Sequence, residues 1–297
     1  MLENWKLALA ITVGILTILY FGFSFYVASV MTSPLSLRID TSATVIAEKF
    51  ENIDFRSSDG IDLKGWFFPG TSNKVVIMVT GLIANRVNTE YLGPMIAREL
   101  IAKGYSVITY DTRAHGLSGG KRVGFGSVEG NDIVGAVSFA KTRGFKPKDI
   151  GIIADSTGSI STLMVIDKLK AVGATVLDSP AAAFAPIISN RLWQEKGVPT
   201  FFDPAIFFFD KFVFGVDINS IRPIDKIGLD PNRKFLFLHG ALDQTIPIAN
   251  SQQLLAATNK NSKLVIFNNG SHIETYKSDP ALYRSEVYSF LDTELGK

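Results

Sequence analysis

The sequence predicts an α/β domain built on a mostly parallel sheet, preceded by one helix long enough to cross a membrane. Three observations carry this. Apolar, β-branched runs of strand length alternate with segments of helical spacing from Ile53 to Leu295, the pattern of strand–helix–strand units with helices on both sheet faces. Several of these runs end abruptly in a short polar or glycine-containing turn, where a parallel sheet presents its binding crevice. Leu7 to Met31 contains no charged residue.

Composition narrows the function classes. A chain of 297 residues with 46% hydrophobic residues can bury an ample core in one large domain. The formal charge of +2 is near balance, so nucleic acid has no electrostatic case as a partner. The absence of Cys excludes disulfides, thiol chemistry and Cys-ligated metal. Asp and Glu form no metal-ligand pattern, and neither a metal nor a cofactor is expected. No internal repeat or low-complexity tract is evident. The expected organisation is an N-terminal transmembrane anchor over residues 1–31, a linker with a short helix over 32–49, and the α/β domain over 50–297.

As a helix, Leu7–Met31 is roughly 37 Å long, enough for a hydrocarbon core of about 30 Å with some tilt. Trp5 and Lys6 precede it as interface anchors would. A cleaved signal peptide is the rival reading, but the run exceeds the usual apolar core of about 7–15 residues. The small-x-small site around Val27-Ala28-Ser29 is poor. Lys6 lies on one side and Arg38 and Lys49 on the other, so flanking charge does not orient the helix.

Within the domain, Ile53–Arg56 and Ile61–Phe68 flank Ser57-Ser58-Asp59-Gly60, a hairpin signal expected at an antiparallel edge. Lys74–Thr80 is a continuous apolar run, as a strand buried on both faces should be, and leads into Gly81-Leu82. Thr89–Lys103 has helical spacing and stops at Gly104. Tyr105–Tyr110 is a strand ending in Asp111, and Ser127–Arg143 a helix before Gly144. Asp149–Ala154 is a strand, followed by helix from about Thr157 to Lys170. Ala174–Leu177 ends in Asp178-Ser179-Pro180. Lys234–Leu238 is followed by His239-Gly240, a helix at about Ile248–Ala257, a strand at Lys263–Phe267 and a last helix at about Pro280–Leu295. The alternation stops between Pro180 and Lys226. This insertion, at about 181–226, carries Phe201, Phe202, Phe207, Phe208, Phe209, Phe212 and Phe214. The rings either hold a small helical lid to the domain or line a pocket for an acyl or aromatic group. Phe207, Phe208 and Phe212 are the candidates for substrate contact.

The stretch Asp149–Ser159 organises the rest. A strand that turns directly into a helix, with Ser156 at the corner and small residues at Ala154 and Gly158, has the context of a nucleophile elbow. Its motif is A-x-S-x-G rather than G-x-S-x-G, and taken alone a Ser at such a junction is more often a helix N-cap than a nucleophile. Four further stretches favour the nucleophile. Thr80-Gly81-Leu82 is similar to a His-Gly-x turn, with Thr in the His position. Asp111-Thr112-Arg113-Ala114-His115-Gly116-Leu117-Ser118 resembles D-x-R-G-H-G-x-S, with Ala114 for Gly. Leu238–Pro247 resembles H-G-x-x-D-x-x-V-P, and Asn269-Gly270-Ser271-His272 resembles a G-S-H turn. Together, over roughly Phe50 to Leu295, they resemble the α/β-hydrolase superfamily, near its serine-aminopeptidase-like and monoacylglycerol-lipase-like branch with a short lid.

That resemblance implies a catalytic set of Ser156, Asp243 and His272, in the chain order of this fold. A Ser hydroxyl needs a base within hydrogen-bond reach. His has the pKa for that and can return the proton to the leaving group, and Asp243 would hold its tautomer. The backbone N–H groups of Leu82 and Thr157 would form the oxyanion hole. His115 and His239 are rival bases and Asp178 a rival acid. Ser118 and Ser159 are not at strand ends. Asp155, beside the Ser, would either raise the imidazole pKa or face solvent.

The expected protein is a membrane-anchored serine hydrolase acting on a small-molecule or lipid-like carboxylic ester, less favourably a thioester or amide. A peptidase and a non-catalytic binding protein on the same scaffold are the alternatives. The departures at Thr80, Ala114 and Ala154 motivate the last. Asn269-Gly270-Ser271 is a glycosylation sequon directly before the proposed base. A glycan there would obstruct the site, which favours a bacterial envelope protein with its domain outside the cytoplasm.

Overall fold

The structure, a computed structural model, describes residues 4–33, 39, 41–82, 84–87, 93–258 and 260–296. The expected helix start at Thr89, and Pro34 and Arg38 of the linker, lie outside the described residues.

The chain opens with helix α1 (Asn4–Met31), followed by a single 3-10 turn at Ala43–Val45. The hairpin β1 (Glu51–Arg56) and β2 (Asp62–Phe68) comes next. Then β3 (Val75–Val79), α2 (Gly93–Ala102), β4 (Ser106–Tyr110), α3 (Gly130–Thr142), β5 (Ile150–Asp155) and α4 (Ser156–Met164) alternate. After β6 (Ala174–Asp178) the insertion contributes α5 (Ala185–Lys196) and α6 (Asp203–Phe212), with short 3-10 turns around them. The chain closes with β7 (Leu236–Gly240), α7 (Ala249–Ala256), β8 (Lys263–Phe267), α8 (Thr275–Ser278), α9 (Pro280–Tyr283), a π-turn at Arg284–Tyr288 and α10 (Ser289–Glu294).

The eight strands form one sheet in the order β1-β2-β4-β3-β5-β6-β7-β8. β2 runs antiparallel to both neighbours, and every pair from β4 through β8 is parallel. The central strands β3, β4, β5 and β6 are buried at every position, because helices cover both faces. One apolar cluster fills the face covered by α2 and α10, and another the face covered by α3 and α4.

Two elements depart from the sequence reading. The helix expected to reach Lys170 ends at Met164 and continues as a 3-10 turn at Ile166–Leu169. The last helix is interrupted by the π-turn. The extra residue there lets consecutive Val287 and Tyr288 both face the core beside Tyr283 and Leu291.

A third cluster lies under the insertion and includes Ile187, Ile188, Leu192, Ile206 and Phe125. Val27 and Ala28 of α1 belong to it. The first helix and the insertion, read apart in the sequence, are therefore in contact. Tyr20 stacks on Phe201 and Phe202, and Phe25 meets Phe209 edge-on and packs on Phe214. The end of α1 is also stitched to the domain. The Val123 amide donates to the Thr32 carbonyl, and Arg122 donates to the Ser29 carbonyl while lying over the Phe214 ring.

Candidate active site

Parallel pairing brings the carboxyl ends of five strands to one edge. Val79 lies opposite Ala154, Asp155 opposite Asp178, and Gly240 opposite Phe267. Ser156, Asp243 and His272 follow three of these ends, those of β5, β7 and β8.

Ser156 occupies the corner between β5 and α4 with φ of 48°. A left-handed conformation is unfavourable for a side chain larger than Gly, and it marks a sharp strand-to-helix elbow. Ser156 is not a cap. Its Oγ–H donates to Nε2 of His272 at 2.9 Å. Gly158 meets the need for close packing, since a Cβ there would stand 2.6 Å from the Val79 carbonyl oxygen. Ala154 is buried in the core.

His272 sits on the turn after β8, with Nδ1 2.8 Å from Oδ2 of Asp243. The remaining Asp243 oxygen accepts the amides of Thr245 and Ile246 at 2.9 and 2.8 Å. Burial pushes the Asp243 carboxyl up, but bonds from His239 and His272 and the Ile246 amide outweigh it and hold the group well below the usual carboxylate range. The two loops approach closely because Gly240 has no side chain. A Cβ there would collide with the Gly270 carbonyl, and the Leu242 amide donates to that same oxygen.

None of the rivals reaches Ser156, although His239 Nε2 also lies 3.4 Å from Oδ2 of Asp243. His239 is fully buried, with Nδ1 2.7 Å from Ser251 Oγ and Nε2 2.8 Å from the Ile246 carbonyl oxygen. Asp178 is pushed up to about 6 by burial, and accepts hydrogen bonds from Thr275 and Ser179 rather than from His272. His115 Nδ1 lies 2.9 Å from the Arg113 carbonyl oxygen. Ser118 donates to the Asp111 carbonyl and Ser159 to the Ala154 carbonyl.

Leu82 and Thr157 line one small cavity together with His115, Phe125 and Ser161. As the second residue of α4, Thr157 has an N–H with no intrahelical acceptor. Asp155, beside the Ser, does not face solvent. It is buried, and its Oδ1 accepts the Gly81 N–H at 2.7 Å. The loop after Gly81 is held further on by Arg86, whose amide and guanidinium both donate to Asp111 at 2.7 Å, with both side chains buried. Asp111 was visible as a motif residue; its partner Arg86 carried no local signal.

Of the three insertion rings, Phe207 packs against the cluster that Leu82 also joins. Phe208 and Phe212 are exposed on the outside of α6 and lie against each other, ring centres 4.8 Å apart. The structure does not bring these two to Ser156. Among the described residues, no group of three or more His, Cys, Asp or Glu could hold a metal ion.

No family model matches the sequence. It is 29% identical over 260 residues to the uncharacterised protein YqkD of Bacillus subtilis (strain 168), covering 83% of this chain and 82% of that one. It is 24% identical over 254 residues to the uncharacterised protein YfhR of Escherichia coli (strain K12), with the same coverage. Among solved structures it is similar to the esterase Pf2001 of Pyrococcus furiosus, with TM-score 0.76, 22% identity and coverage of 90% of this chain and 99% of that one. It is also similar to Est1E of Butyrivibrio proteoclasticus, solved with ferulic acid bound, with TM-score 0.63, 20% identity and coverage of 82% and 99%. The fold is the α/β-hydrolase fold.

Proposed function

We propose that the protein is a membrane-anchored serine hydrolase that cleaves a carboxylic ester through an acyl-enzyme. The observation that carries the reading is the unbroken hydrogen-bonded series from Asp243 through His272 to Ser156, at the carboxyl ends of three strands. The esterases among the similar structures support the reaction class.

In the proposed reaction, Ser156 Oγ attacks the ester carbonyl carbon while His272 Nε2 takes its proton. The oxyanion receives hydrogen bonds from the Leu82 and Thr157 amides. His272 then protonates the departing alkoxide. Water attacks the acyl group by the same general-base route, releasing the acid and regenerating Ser156. Asp243 keeps the proton on Nδ1 and stabilises the imidazolium.

Residues 1–31 are proposed as an uncleaved anchor, 50–297 as the hydrolase domain and 181–226 as its lid. Support for the anchor comes from α1, which has 28 residues and, over its most apolar 18, a mean hydropathy of 2.1 and little burial. An ester with a lipid-like acyl chain is the proposed substrate class, because the insertion rings and the anchor form one apolar surface. A chain-length series of esters with the detergent-solubilised protein tests this. Turnover rising toward long chains is expected. Rapid hydrolysis of short, soluble esters with none of long ones would sink the lipid reading.

A further inference from the structure

The contact between α1 and the insertion fixes how deep the insertion must sit if α1 spans a bilayer, and this inference rests on that anchor reading. Lys6 and Trp5 mark one interface. Tyr20 lies roughly 21 Å further along the helix, so it falls about 9 Å short of the far side of a hydrocarbon core of about 30 Å. At this level Tyr20 is bound to the insertion. Its ring stacks on Phe201 and Phe202, and its hydroxyl donates to the Phe201 carbonyl at 2.9 Å. Phe23 packs on Phe202, and Phe21 and Phe25 meet Phe209 edge-on. Whatever touches Tyr20–Phe25 shares their depth.

The outer surface of the insertion suits that place. Phe201, Phe208, Phe212 and Val213 are each at least half exposed, at 62%, 51%, 67% and 52%. Such a patch is unusual on a surface that meets water. Of the α6 charges, the two carboxylates are turned away from it, whereas Lys211 lies at its edge, half exposed and paired. Lys211 pairs with Asp217 at 2.7 Å and lies over the Phe212 ring, Asp203 accepts the Ser189 hydroxyl, and Asp210 is fully buried. Between the two helices runs an open, almost wholly apolar groove lined by Thr17, Ile18, Phe21, Gly22, Phe25 and Phe209, of a chemistry that fits a lipid acyl chain.

We propose that Thr200–Val213 is a second membrane-contact element, seated in the outer hydrocarbon of the leaflet from which α1 emerges. The occupant of the apolar face is lipid. Phe207 on the same helix packs on the apolar cluster under the insertion, which Leu82 also joins; the proposal therefore puts the lid between leaflet and active site, with substrate reaching Ser156 from the bilayer side.

Because the chain has no Cys, single-cysteine variants can be spin-labelled without background. Ile18→Cys, Phe208→Cys, Phe212→Cys and Lys141→Cys, each in the full chain in phosphatidylcholine vesicles, are compared for relaxation by oxygen and by a water-soluble nickel chelate. Oxygen should dominate at 18, 208 and 212, and the chelate at 141. Oxygen dominance at 18 with chelate dominance at 208 and 212 would overturn the inference and leave the anchor intact. Chelate dominance at 18 as well would overturn both. Dipolar broadening between Phe208→Cys labels would show a second copy on the face instead of lipid, and also overturns it.

Discussion

Asp155 and Gly81 tie the nucleophile elbow to the loop that carries the proposed oxyanion donor: the buried Asp155 Oδ1 accepts the Gly81 amide at 2.7 Å. A misplacement of about 1 Å in such a donor is expensive, and loss of one oxyanion donor typically costs about 10²–10³ in turnover. Asp155→Ala should therefore lower kcat by about 10–10²-fold with little change in KM, whereas Asp155→Asn, which keeps an acceptor at the same place, should stay near wild type. Steady-state ester hydrolysis by the two variants checks this, and equal losses in both would exclude the positioning role.

The two candidate acids are separated by their partners. Asp243 bonds to His272, while Asp178 receives hydroxyls from Ser179 and Thr275. Asp243→Asn should cost about 10⁴ in kcat by allowing the wrong imidazole tautomer. Asp178→Asn should mainly change thermal stability. Rates and melting temperatures measured side by side decide between them.

The buried pair Arg86–Asp111 offers a stability test. Arg86→Met leaves the Asp111 carboxylate without its charge partner, and breaking such a pair costs about 3–5 kcal/mol. Urea unfolding in detergent should show that loss. A change below 1 kcal/mol (roughly the worth of an exposed pair) would mean that water reaches Asp111.

Asp210 gives a pH dependence. Burial without any partner among the described residues pushes its carboxyl from the ordinary 3.8 up to about 7. Between these values the folded chain holds a proton that the unfolded chain has lost. Stability therefore falls as pH rises from about 4 toward 7. Asp210→Asn, which cannot ionise, should flatten this slope and raise stability at pH 8. Unfolding midpoints across that range, compared between the two proteins, test the sign.

What could be read beforehand was whatever is local in the chain. Strand ends followed by Ser156, Asp243 and His272 are visible because a strand and its terminal turn are contiguous. The Gly81–Asp155 bond was invisible because it depends on β3 pairing with β5, and the Arg86–Asp111 pair because it spans two loops. Ala114 stood as an unexplained departure from a glycine pattern. The structure gives it φ of 60°, where glycine would be unstrained. The aromatic insertion was legible as an insertion, but its main partner, α1, lies far away in sequence. Rings read as pocket candidates at Phe208 and Phe212 accordingly proved exposed.

The central claim is an activated Ser156, and labelling with a fluorophosphonate probe tests it most directly. The detergent-solubilised protein and its Ser156→Ala variant are treated in parallel, and the modified peptide is mapped by mass spectrometry. Covalent labelling of the wild type at Ser156 alone, absent from the variant, is expected. A folded wild type that takes up no probe, or takes it up at another residue, would contradict it.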